Sequence, residues 1–177
     1  MPDIRWVALS YRLPREPSRP RLAAWRRLKR LGATLLHDAV WLLPSDAKTR
    51  EAFEWLADEI AEQGGTAFVW EAASLGPAQD QTIVAQFRAG ADARYAAIAD
   101  SADALRRLGT RLRLARNGRL EHARRQLAGL ERALRLEMRR DHFRAPGRRE
   151  AEDALRAAAR ALPEPAREKG RADAVGH

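Results

Sequence analysis

Between Ile4 and Arg12 the apolar positions fall on both sides of an extended segment. Trp6 and Ala8 lie on one face, Val7 and Leu9 on the other, and the pattern predicts a strand. Pro14, Pro17 and Pro20 forbid further ladder pairing. Ser18 is placed to cap a helix whose first turn takes Pro20, where a missing N–H costs nothing. Leu22, Trp25, Leu28 and Leu31 recur at helical spacing and form its expected core stripe, and Gly32 ends it. The run "ATLLHDAVWLLP" is too long and too apolar for one edge strand. It divides into a strand over Ala33–His37, a corner near Asp38 and a strand over Ala39–Leu43. Ser45 or Asp46 then caps a second helix with Phe53, Leu56 and Ile60 inward. "QGG" at Gln63–Gly65 closes it, and Thr66–Ala72 is the last strand.

The order β-α-β-β-α-β predicts an α+β fold of the ferredoxin-like kind, an antiparallel sheet with helices on one face. Past Gly76 and Pro77 the pattern turns helical. Tyr95, Ile98, Ala102, Leu105, Leu108 and Leu112 make one stripe; Leu120, Leu127, Leu130, Leu134 and Met138 make another. With "RNGR" at Arg116–Arg119 as a turn, the two helices form an antiparallel hairpin. "APG" at Ala145–Gly147 breaks the chain before a third helix near Arg149–Leu162, ended by Pro163 and Pro165. The helical stripe must be covered, either by the open sheet face or by a second copy in a homodimer.

All five tryptophans (Trp6, Trp25, Trp41, Trp55 and Trp70) precede residue 77 and are expected in the core. That shift in composition predicts a ferredoxin-like domain over 1–76, a helical region over 77–162 and a disordered tail over 163–177.

Charge changes the picture. Lys+Arg number 33 against 24 Asp+Glu, a net charge of +9, and only Lys29, Lys48 and Lys169 are lysines. The guanidinium fork suits phosphate and other oxyanions, although a GC-rich genome also inflates arginine. There is no cysteine, which excludes disulfide scaffolds, thiolate metal sites and cysteine nucleophiles. No apolar run approaches the roughly 18 residues of a membrane span, and the N-terminus reads as a strand and not as a signal peptide. A cytoplasmic protein is expected.

Candidate chemistry is sparse. His37, His122, His142 and His177 show no metal-ligand spacing with a carboxylate. Ser10, Ser18, Ser45, Ser74 and Ser101 lack a glycine-flanked elbow. No phosphate-binding glycine loop is present, no cofactor is implied, and no enzyme is expected. Glu51, Glu54, Asp58, Glu59 and Glu62 read as a solvated face balancing the basic first helix. What stands out is the segment between the first two strands, with Arg12, Arg15, Arg19, Arg21, Arg26, Arg27, Lys29 and Arg30 against Glu16 alone. It is either a solvated face or an anion-binding patch. Further clusters at Arg111–Arg125 and Arg139–Arg149 suit an extended polyanion better than a small ligand.

The string "YRLPREPSRPRLAAWRRLKRLGATLLHDAVWLLP" resembles the N-terminal domain of the ChrB chromate-resistance proteins, at Pro14–Ser18, Trp25–Ala33 and Asp38–Pro44. Thr49–Ala72 and Arg139–Leu155 are also similar to that family. The resemblance implies a transcription regulator of chromate-responsive genes found beside a chromate efflux transporter. Full-length members carry a second, C-terminal domain, and this sequence ends where that domain would begin. It is therefore expected to be a one-domain member or half of a split pair. More distantly, "GATLLHDAVWLLP" resembles the Cas2-like ferredoxin domain of PaaX-type repressors. The nuclease members carry an aspartate where this chain reads Ser10-Tyr11-Arg12, which argues against a metal-dependent nuclease.

The expected function is a non-enzymatic, DNA-associated regulator or regulatory partner in chromate resistance. Its candidate DNA- or anion-binding residues are Arg12, Arg15, Arg19, Arg26, Arg27, Lys29, Arg30, Arg139 and Arg140. Expected partners are the DNA phosphate backbone, with the chromate oxyanion or a separate C-terminal-type sensing domain as further possibilities, and no membrane. The alternative is a protein-interaction or dimerisation module partnering a separate chromate-sensing domain.

Overall fold

A computed structural model describes residues 4–112 and 119–162. Four strands, β1 (Arg5–Arg12), β2 (Thr34–His37), β3 (Val40–Pro44) and β4 (Thr66–Ala73), form one antiparallel sheet in the order β2-β3-β1-β4. Helices α1 (Arg19–Leu31) and α2 (Ala47–Glu62) occupy the expected places between them, and α3 (Pro77–Leu112), α4 (Arg119–Arg140) and α5 (Arg148–Ala161) follow. The class is α+β, with the expected succession of elements.

Local chemistry sets the ends. Asp46 and Thr49 close a reciprocal capping box at the start of α2, with Thr49 N–H donating to Asp46 Oδ1 at 2.7 Å and Asp46 N–H to Thr49 Oγ1 at 2.9 Å. Asp38 turns the β2–β3 corner at φ 39. Ser18 stands at the N-cap of α1 but makes no side-chain capping bond. Gly32 ends α1 at φ 77, and a Cβ there would sit 2.3 Å from the Arg140 carbonyl oxygen. Both the left-handed backbone and the close approach of the α4 end require glycine.

Both faces of β1 are buried, and this departs from the expected one-sided sheet. On one face Val7 and Leu9, with Leu43 and Trp41 across the ladder, lie under α1 and α2, which contribute Leu28, Phe53, Leu56 and Ile60 to the same core. On the other face the first turns of α3 come down on Trp6. Its ring stacks on Phe87 at 5.8 Å and tilts against Phe143 at 5.8 Å, and its Nε1 donates to Asp80 Oδ1 at 2.8 Å. Only Trp6 and Trp41 of the five tryptophans are buried. Trp25, Trp55 and Trp70 keep 47, 60 and 50% of their surface exposed, so the expectation of five core tryptophans is corrected.

The rest of α3 packs with α4 and α5 around a second core of Ala91, Tyr95, Ile98, Ala102, Leu105, Ala123, Leu155 and Ala158. The helical stripe expected to meet the sheet or a second copy is therefore covered from within. Alanines let α5 lie close along α3, and sequence periodicity could not choose between that partner and the others. The Arg116–Arg119 turn before its last residue, the 163–177 tail with its two prolines, and His177 lie outside the described residues.

Candidate nucleic-acid interface

α1 turns Ala24 and Leu28 into the core, with Leu31 partly buried beside them. At about 100° per residue, Arg19, Arg26 and Arg30 project from the opposite side within roughly 40° of one another, spaced along the axis by about 10 and 6 Å. They form one exposed ridge. None of the three side chains has a hydrogen-bond or ion-pair partner among the described residues, and the same holds for the side chains of Arg12 and Arg15, both exposed. Alternation along β1 puts Arg12 with Trp6 and Ala8, on the sheet face away from α1. It therefore does not join the ridge. Arg21 Nη2 donates to the Arg15 carbonyl at 2.7 Å and ties the proline-stiffened loop to the helix.

Arg27 and Lys29 have internal partners. Arg27 is paired with Glu59 of α2 and is the single ion pair that joins the two helices among the described residues. Charge balance between α1 and α2 thus accounts for one arginine and leaves the ridge untouched. Lys29 Nζ lies 5.3 Å from the Trp41 ring centroid and 5.9 Å from that of Trp25. Burial, and then the positive charges of Arg94 and Arg140, hold its ammonium below the usual lysine range.

Leu22 and Trp25 were expected in the core stripe of α1, but 46 and 47% of their surfaces are exposed. The small Ala24 lets the helix settle on the Ala24–Leu28 edge. Trp25 then lies at the flank, where its ring meets the Lys29 ammonium.

The second candidate cluster reaches the same place. Arg140 Nη1 donates to the Lys29 carbonyl at 3.3 Å, and His142 Nε2 lies 3.0 Å from the Leu31 carbonyl and donates to it. A guanidinium and an imidazole N–H therefore satisfy the carbonyl end of α1, where positive charge is favoured. Arg140 is also bound to Glu137, a fully buried carboxylate whose other oxygen accepts from Arg94 Nε at 2.8 Å. Arg139 is exposed and has no partner among the described residues.

Of the residues expected at the site, α1 carries Arg19, Arg26, Arg27, Lys29 and Arg30, and the end of α4 brings Arg140 to Lys29, with Arg139 next to it in the chain and exposed. Arg15 lies on the adjoining loop, and Arg12 is turned away. The Arg111–Arg125 cluster is not brought in, since the end of α3 lies about 27 Å along the axis from Arg94 at 1.5 Å per residue. Arg113, Arg116 and the side chain of Arg111 lie outside the described residues. Arg94 and Glu137 were missed. The available signal was an acid at Glu137 beside Met138 on the α4 stripe, three residues before Arg140. Tyr95 donates to Asp141 Oδ2 at 3.2 Å; burial and then that carboxylate push its phenol above the usual range.

Among the described residues no three His, Cys, Asp or Glu side chains group as a metal site, and no helix is long and apolar enough to cross a membrane. The family described as "Protein ChrB, N-terminal" matches residues 21–169. Protein ChrB of Cupriavidus metallidurans is 38% identical over 88 residues, 50% of this chain and 26% of that relative. The match spans about a quarter of the relative's own length. No solved structure matches.

Proposed function

The chain belongs to the family of ChrB N-terminal domains, and from that membership we propose that it is a non-enzymatic regulatory protein of chromate resistance that holds DNA by its phosphates through α1. The observation that carries the reading is the Arg19–Arg26–Arg30 ridge, whose side chains have no partner among the described residues. A solvated helix balanced by its neighbour would pair more than Arg27. Arginine contacts of this kind give affinity and register with little sequence information.

We read residues 1–76 as a ferredoxin-like domain and 77–162 as a helical region. The strand order β2-β3-β1-β4, with β1 and β2 joined through α1 across the intervening β3, supports the first part of that reading. The division at 77 is supported by the two apolar cores, although α3 contributes to both. A cytoplasmic place follows from the DNA reading. Chromate, or a separate sensing domain, is the signal such a regulator would answer.

The test is a titration of duplex DNA from the promoter of chromate-responsive genes with the whole chain, followed by fluorescence anisotropy. Binding that weakens steeply as salt rises is expected. No binding at low salt overturns the reading and leaves the interaction-module alternative.

A further inference from the structure

The two edges of the sheet are built differently. β2 is four residues long, and its register is broken between Leu35 and His37, which blunts it as natural edges are blunted. β4 runs for eight residues in unbroken register against β1, without proline, and with Glu71 as its single charge. Arg50 and Ser45 each bind that carboxylate at 2.7 Å from within the chain. No described strand pairs with the outer side of β4.

The same strand displays two large rings. Phe68 and Trp70 stack at 6.0 Å and 7° on the face shared with Ala8 and Ser10, beyond the reach of α3, and are 60 and 50% exposed. A long apolar edge of unbroken register carrying exposed aromatics is a template for another strand.

We propose that a second copy of this chain covers this edge, its β4 pairing antiparallel with β4 about a two-fold axis at Val69. Only registers that pair residues of like parity keep both α2 helices on one face of the joined sheet. Among them, the register centred on Val69 sets Phe68 opposite the partner copy's Trp70, twice, and joins the two ring stacks into one cluster of four. Ala67 then meets Glu71 and Thr66 meets Ala72, with no like charges opposed.

Aromatic side chains of roughly 150–250 Å² each, at the exposures given, leave roughly 200 Å² per copy and roughly 400 Å² across two, a large share of the about 1,000 Å² that a specific interface clears. The paired backbones and the exposed Ala72, Ala73 and Leu75 add to it. The proposal does not depend on DNA binding, because α1 lies on the opposite face.

Sedimentation of the whole chain at micromolar concentration tests it. The wild type is expected at the dimer mass, and Phe68→Glu/Trp70→Glu at the monomer mass with an unchanged far-ultraviolet circular dichroism spectrum. A monomeric wild type, or a double variant still dimeric, overturns the proposal. The register has its own check, since the chain lacks cysteine: Val69→Cys should form a dimer-mass disulfide on mild oxidation, and Ala72→Cys should not. A dimer in which position 69 fails to cross-link contradicts the axis. A monomer whose tryptophan fluorescence is quenched by a single-stranded oligonucleotide would assign the rings to base stacking instead.

Discussion

Two groups of arginines lie within a few turns of each other. Arg19, Arg26 and Arg30 stand on the outer side of α1 with no side-chain partner among the described residues, while Arg94 and Arg140 close on the fully buried Glu137. In the sequence they look alike, cations in Arg- and Leu-rich helical text. In the fold they differ in kind: one group neutralises a carboxylate that burial would otherwise make very costly, and the other leaves its donors to solvent. A count of cations therefore does not find a binding surface. The partners of each cation are what separate the two groups.

The largest expected effect comes from the buried group. Arg140→Ala leaves Glu137 with Arg94 alone and removes a donor from the Lys29 carbonyl, and should destabilise by about 3 kcal/mol in urea unfolding, the upper end for a lost hydrogen bond to a charged group. If it costs no more than a ridge substitution, the distinction between the groups collapses. Gly32→Ala strikes the seam where the groups meet. A methyl against the Arg140 carbonyl at positive φ should cost about 2–3 kcal/mol, read by the same unfolding curve, and should shift DNA affinity as α1 moves.

Trp25→Ala sharpens the boundary. A fully buried tryptophan would cost about 3–5 kcal/mol, and this half-exposed one should cost about 1–2 in the same measurement. A larger loss would put Trp25 back in the core. Smallest is Arg27→Gln, whose half-exposed pair with Glu59 contributes about 0.2–1 kcal/mol by thermal or urea denaturation, with DNA affinity nearly unchanged.

The order of elements was legible in the sequence because each one announces itself locally. The Asp46–Thr49 box, Gly32 and the Asp38 corner each mark an end by backbone chemistry confined to a few residues. The arginine-rich character of α1 was legible for the same reason. What stayed hidden depends on rotation and on distant partners. Periodicity placed Trp25 and Leu22 with Leu28, but a small Ala24 turned the helix by part of a step. Nothing local shows that Phe87 and Phe143, far along the chain, would cover Trp6 and not Trp70. Nor does spacing show that Arg140, 111 residues after Lys29, would end at its carbonyl.

The central claim is that the α1 ridge neutralises DNA phosphates. Its most direct test is the salt dependence of promoter binding for the wild type and for Arg19→Gln/Arg26→Gln/Arg30→Gln. The three residues are exposed and unpaired among the described residues, so each change should alter stability by about 0.5 kcal/mol or less. At about 0.9 per phosphate, the magnitude of the log–log slope should fall by roughly two to three units. An unchanged slope and affinity in the folded triple variant would contradict the account and leave the ridge a solvated surface.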